Sequence, residues 1–146
     1  MAKKIAVFVG SLRRASFNRK TAEAVVALAP ESLAPDIVEI GGLALYNPDE
    51  DEGAPPPAWT EFRQRVKPFD GVLFVTPEYN RSVPAVLKNA LDVGSRPYGR
   101  SVWAGKPGAV ISVSTGAMGG FGAHHHLRQI LVSLDVPTMP QPEAYI

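Results

Sequence analysis

The chain has 146 residues, 45 % of them hydrophobic, the size of one domain with one core. Its 15 basic and 14 acidic residues leave a net charge of +1, which gives no electrostatic reason to expect nucleic acid or an anionic membrane as partner. The lack of cysteine excludes a disulfide scaffold, thiol catalysis and cysteine-ligated metal, and suits a reducing cytoplasm.

Ile5–Val9 is a run of β-branched, aromatic and small apolar residues ending at Gly10, which predicts a first strand. It is too short for a signal-peptide core, and no window approaches the roughly 18 apolar residues of a membrane span. Asn18 is the predicted cap of a helix to about Leu28, with Ala22, Val25, Val26 and Ala29 inward. Ile37–Ile40, ending at Gly41 and Gly42, predicts a second strand. Asp49–Gly53, before Pro55, Pro56 and Pro57, predicts a solvated surface loop. Pro57–Val66 places Trp59, Phe62 and Val66 at helical spacing. Val72–Val75 predicts a third strand, ending at Thr76-Pro77. Pro84 opens a predicted helix to about Asp92, whose Val86, Leu87, Ala90 and Leu91 cover more than one face. Ala109–Val113 predicts a fourth strand, and Leu127, Ile130, Leu131 and Leu134 predict the helix after it. Thr138–Ile146 is a candidate fifth strand that Pro140 and Pro142 would confine to an edge or a late start.

Continuous apolar strands alternating with helices predict an α/β fold, a doubly wound five-stranded parallel sheet with helices on both faces. Residues 1–146 read as a single domain. Such a sheet normally covers its last strand with a helix, so the end at Ile146 predicts either a C-terminal helix missing from this sequence, the favoured reading, or a last strand covered by another subunit.

In this architecture ligands sit beyond the carboxyl ends of the strands. Three loops there have unusual composition. Gly10–Asn18 leads from a strand into a helix N-terminus, whose free amides and dipole favour an anion. Ser11, Ser16 and Asn18 add neutral donors, and Arg13 and Arg14 add charge. Helix capping alone would need one such residue. The loop is neither a P-loop nor a dinucleotide fingerprint, although Glu39 ends the second strand where a ribose-binding acid could stand. Thr76–Pro84 offers Tyr79 as a flat face for a planar ring, with Asn80 and backbone amides to read its polar edge. Read as plain structure, it is a rigid turn capped by Ser82. Ser114–Gly122 holds four glycines that permit close backbone approach.

The segments Gly10–Lys20, Thr76–Asn80 with Ser82–Pro84, Leu87–Asp92 and Ser114–Gly120 together resemble the NAD(P)H-dependent FMN reductase family, most closely its quinone and chromate reductase branch. The resemblance implies a flavodoxin-like fold with FMN bound at the three loops. Ser11, Arg13, Ser16, Phe17 and Asn18 would hold the ribityl phosphate. Pro77, Glu78, Tyr79 and Asn80 would line the isoalloxazine, and Ser114, Gly116 and Ala117 would approach its far edge. It further implies a cytoplasmic flavoprotein oxidoreductase with NAD(P)H as co-substrate. Hydride would pass through FMN to quinones, or to acceptors such as chromate or azo compounds, by ping-pong kinetics. No side chain need be catalytic. A flavodoxin-type electron carrier that does not itself oxidise NAD(P)H is the alternative. The apolar breadth of the Pro84–Asp92 helix and the family habit both point to a homodimer or homotetramer, in which Asp49–Gly53 could reach a neighbour's flavin.

Two tempting sites are set aside. Neighbours on a helix are about 100° apart, so His124, His125 and His126 cannot converge on one metal and read as helix surface or subunit contact. Ser114 with these histidines lacks the nucleophile elbow of a hydrolase.

Overall fold

The computed structural model describes residues 1–146. In chain order the elements are β1 (Lys3–Val9), α1 (Phe17–Ala27), β2 (Leu33–Val38), α2 (Pro48–Glu52), α3 (Pro57–Val66), β3 (Gly71–Thr76), α4 (Ala85–Gly94), β4 (Gly108–Ser112), α5 (Phe121–Ser133) and β5 (Ala144–Tyr145). The strands form one parallel sheet in the order β2-β1-β3-β4-β5. This is the flavodoxin-like doubly wound arrangement, with its switch in strand order at β1 and β3. No helix is long and apolar enough to cross a membrane.

The central strands are apolar throughout because both faces are covered. Ala6, Phe8, Val72, Phe74 and Val110 face α3, α4 and α5 in the larger core. At its centre Trp103 stands edge-on to Phe8, and its indole N–H donates to the Leu91 carbonyl at 2.9 Å. Val7, Val9, Val75 and Val113 face α1, and Leu73 and Ile111 on that side are only half-buried.

Of the two edge strands, β2 departs from expectation, while β5 keeps to the edge and starts late, as its prolines predict. β2 begins at Leu33 and runs through Pro35, which its single neighbour, β1, permits. β5 is only two residues long, because Pro140 and Pro142 interrupt the segment between a single bridge from Thr138 to Gly108 and the pairing of Ala144 and Tyr145. α1 is capped by Ser16, whose Oγ accepts the Arg19 amide at 3.1 Å, and not by Asn18. Asn18 lies inside the helix and donates to the Val113 carbonyl at 3.2 Å.

The acidic segment is the main correction. It forms α2, capped by Asn47, and it is not a solvated tip throughout. The Asp51 side chain is only 6 % exposed and that of Arg63 only 12 %. The two meet through a pair of hydrogen bonds of 2.8 and 2.9 Å, and the Tyr46 hydroxyl also donates to Asp51. Burial, followed by the Asp51 charge, raises the Tyr46 pKa above its ordinary value. Asn89 of α4 completes this brace. Its carbonyl oxygen accepts the Tyr46 amide, and its NH₂ donates to the carbonyls of Leu43 and Ala44. The apolar breadth of α4 has an internal explanation too. Leu87, Ala90, Leu91 and Val93 are buried within the chain, and only Val86 and the preceding Val83 remain half-exposed.

Candidate functional site

The carboxyl ends of β1, β3 and β4 are drawn together by backbone bonds. The Gly10 amide donates to Val75 and the Val113 amide to Thr76. A cleft of about 150 Å³ opens above them. Nine of the sequence-predicted residues line it: Ser11, Arg13, Ser16, Phe17, Asn18, Pro77, Glu78, Tyr79 and Ser114. Val113 and Thr115 line it as well: Thr115 belongs to the third loop but is not singled out by the sequence, and Val113 reads there only as the end of a strand. Larger grooves exist elsewhere, such as one of about 450 Å³ between β2 and α3, but there Glu39 and Arg65 are already paired with Arg19 and Asp36, which leaves Glu61 as its one unpaired charge.

Asn80, Gly116 and Ala117 lie outside the cleft. Asn80 and Arg81 are the two central residues of a tight turn closed by reciprocal bonds between Tyr79 and Ser82, with φ of 51° and 62°. Asn80 therefore serves the turn. The glycines of the third loop are also used internally. Gly119 and Gly120 have φ of +55° and +78°, and a Cβ on them would press on Tyr145 and Ser112 at 2.9 Å. The loop folds back on β5, which leaves Gly116 and Ala117 on the outer surface.

One end of the cleft gathers groups that suit an anion. Ser16 satisfies the Arg19 amide, while the amides of Phe17 and Asn18 have no partner within the chain. They point the positive end of α1 into the same corner as Arg13, Ser11 and Ser16. Asn18 supplies a second signal. Its Oδ1 is buried without any hydrogen-bond partner. An orphaned acceptor of this kind is costly unless a donor arrives, such as a ligand hydroxyl. A phosphate ester of a polyol meets both needs, so these residues fit the phosphate and ribityl chain of FMN. Glu39 has another task, a hydrogen-bonded ion pair with Arg19 at 2.6 Å.

The three histidines diverge. His124 is fully buried, contrary to the surface position expected, and neither ring nitrogen has a partner. It packs edge-on against Tyr145 at 4.8 Å. His125 Nε2 lies 3.1 Å from the Tyr145 hydroxyl, and His126 Nδ1 lies 2.9 Å from Ser82 Oγ. Tyr145 in turn donates to Glu143. Burial first, then that bond, pushes the Tyr145 pKa up to about 12, and the same bond holds Glu143 below the usual carboxylate range. Burial also lowers the His124 pKa below 6.5. The unfolded chain therefore binds this proton at a pH where the folded chain does not. His124 contributes stability above its unfolded pKa, and that contribution is lost as pH falls through 6.5 towards the folded value. Denaturant titrations of wild type and His124→Gln between pH 7.5 and 5 should show a shallower acid decline in the variant. Equal slopes would place the acid sensitivity elsewhere.

Known proteins resemble this chain in both sequence and fold. Residues 3–146 match the family model described as NADPH-dependent FMN reductase. A quinone reductase of Pseudomonas putida is 65 % identical over 142 residues, spanning 97 % of this chain and 76 % of that protein. A 2-hydroxy-1,4-benzoquinone reductase of Burkholderia sp is 56 % identical over 146 residues, spanning 100 % of this chain and 79 % of that one. The solved structure of FerB, a flavoenzyme NAD(P)H:(acceptor) oxidoreductase from Paracoccus denitrificans, superposes with a TM-score of 0.93 at 42 % identity, covering 99 % of this chain and 79 % of that one.

Proposed function

The chain belongs to the NADPH-dependent FMN reductase family, whose chemistry is NAD(P)H oxidation at FMN, and from that premise we propose that it is a quinone reductase with FMN held in the cleft above β1, β3 and β4. The observation that carries this reading is the convergence of Arg13, Ser11, Ser16 and the free α1 amides beside the orphaned Asn18 acceptor. When bound, FMN supplies the two-electron chemistry, accepting hydride from NAD(P)H and passing it to the acceptor in alternation, so no side chain need act as acid or base.

The residues divide the work. Arg13, Ser11, Ser16 and the amides of Phe17 and Asn18 bind the phosphate, and Asn18 Oδ1 accepts from a ribityl hydroxyl. Pro77, Glu78 and Tyr79 line the ring's position, and Ser114 with Val113 and Thr115 closes the opposite wall. Asn80 contributes by shaping the turn. Tyr79 is about half exposed, which leaves an open side where a nicotinamide and then a quinone could take turns.

Acid extraction of the purified protein followed by chromatography should yield FMN. Mainly FAD would overturn the reading, because the cleft offers nothing to an adenosine diphosphate. NADPH alone should bleach the bound flavin under anaerobic conditions, and added benzoquinone should restore its colour. Bleaching only with a reductase partner would instead identify an electron carrier.

We further propose a homodimer or homotetramer. Support comes from a groove of about 400 Å³ flanked by Val83, Lys88, His126 and Ile130, which a second copy would cover. Light scattering at micromolar concentration should give at least twice the 15.6 kDa chain mass. A monomer would remove this part of the reading.

A further inference from the structure

The loop carrying Pro77, Glu78 and Tyr79 is held in a costly shape. Asparagine enters the left-handed region readily, but Arg81 beside it does not. Such backbone persists where its surroundings over-determine it. Here the surroundings are the first two turns of α5.

Three separate contacts make the attachment. Glu78 Oε2 accepts the Ala123 amide at 3.0 Å. This caps α5, whose own N-cap, Gly120, has no side chain to offer. Ser82 Oγ and His126 Nδ1 lie 2.9 Å apart. Between them, Gly122 lets the helix approach so closely that a Cβ there would stand 2.8 Å from Glu78 Oε2 and 3.0 Å from the Arg81 carbonyl oxygen.

We propose that Gly122 and His126 are positioning residues, which clamp the Thr76–Pro84 loop onto α5 and so fix Pro77, Glu78 and Tyr79 in the shape that receives the flavin. The proposal rests on the FMN reading above. Neither residue lines the cleft, and His126 faces the groove on the far side of the loop. The clamp uses both ends of the turn. Glu78 is held just before Tyr79, and Ser82 just after Arg81, so the left-handed pair cannot relax without breaking one contact or the other.

Gly122 allows a test by sign. It sits in α5 with ordinary helical backbone, so on helix propensity alone alanine would favour the helix. If the clamp operates, the same methyl group displaces either the Glu78 carboxylate or the Arg81 carbonyl and loosens the loop. Amide hydrogen exchange on the FMN-free chain reads this directly. In Gly122→Ala the amides of Tyr79 and Ser82 should exchange about tenfold faster, while those of Leu127–Leu131 stay as slow as in wild type. The FMN dissociation constant, from flavin fluorescence, should rise about fivefold, the scale of one lost hydrogen bond. His126→Leu should act in the same direction. His126→Asn should recover most of the loss, because its amide can stand where Nδ1 stands. Unchanged exchange at Tyr79 and Ser82 in both Gly122→Ala and His126→Leu overturns the clamp. Faster exchange with unchanged FMN affinity overturns its positioning role. A wild-type chain that takes up no FMN overturns the functional reading and the positioning role together, and is told apart because the exchange difference persists.

Discussion

Asp51→Ala should lower the stability of the chain by about 3–5 kcal/mol, the cost of leaving a buried charge without its partner. Arg63 would keep only the bond from its Nε to the Val93 carbonyl, with the rest of its guanidinium still shielded from water. The Tyr46 hydroxyl would lose its acceptor in the same step. At this chain length the loss corresponds to a fall in Tm of roughly 10 °C or more. The double variant Asp51→Leu with Arg63→Met should recover a large part of it, since an apolar pair of similar volume removes the unpaired charge. A thermal melt of the three proteins decides the matter. Near-equal melting of wild type and Asp51→Ala would mean that the Arg63 guanidinium escapes to solvent when its partner is removed. The expected damage extends towards the cleft. The Gly41–Gly53 segment is braced by Asp51 and Asn89, and Gly41 packs directly against Leu12 of the first site loop.

Local signals carried most of the sheet and helices, and long-range pairings account for what they missed. The bounds of α3 were legible because Pro57 starts it and Trp59, Phe62 and Val66 repeat at helical spacing. Nothing local marks Asp51 as different from Asp49 or Glu50, since its partner lies a helix away. Ser16 and Asn18 can both cap a helix. The choice was made by Val113, which lies 95 residues downstream and draws the Asn18 amide inward. Composition singled out the three loops at the carboxyl ends of the strands, by serine and arginine in the first, proline and tyrosine in the second and glycine in the third. It could not show that Gly119 would be packed against β5 and Gly120 against the end of β4, nor that Val113 would end its strand facing the cleft. The histidine triplet was legible as non-convergent, but the burial of His124 depends on β5 closing over it.

Removing the anion grip should have the largest effect on cofactor affinity. Arg13→Ala together with Ser16→Ala should weaken FMN binding by about 1.5–3 kcal/mol, the scale of hydrogen bonds to a charged group. That is roughly a 10- to 150-fold rise in Kd. The structure separates the two contributions. Ser16 also caps α1, so Ser16→Ala alone should lower the stability of the FMN-free chain by about 1 kcal/mol as well as weaken binding. Arg13 is exposed and makes no side-chain bond within the chain, so Arg13→Ala should leave the FMN-free melt unchanged and act on affinity alone. The arginine share should also shrink with added salt, because a surface charge meeting a phosphate is screened, whereas the amides of Phe17 and Asn18 respond less. Fluorescence titrations of the single and double variants at low and high salt would resolve both shares. Affinity that is indifferent to Arg13 at every salt concentration would assign the phosphate to the helix terminus alone. Indifference to both substitutions would place the phosphate outside this cleft.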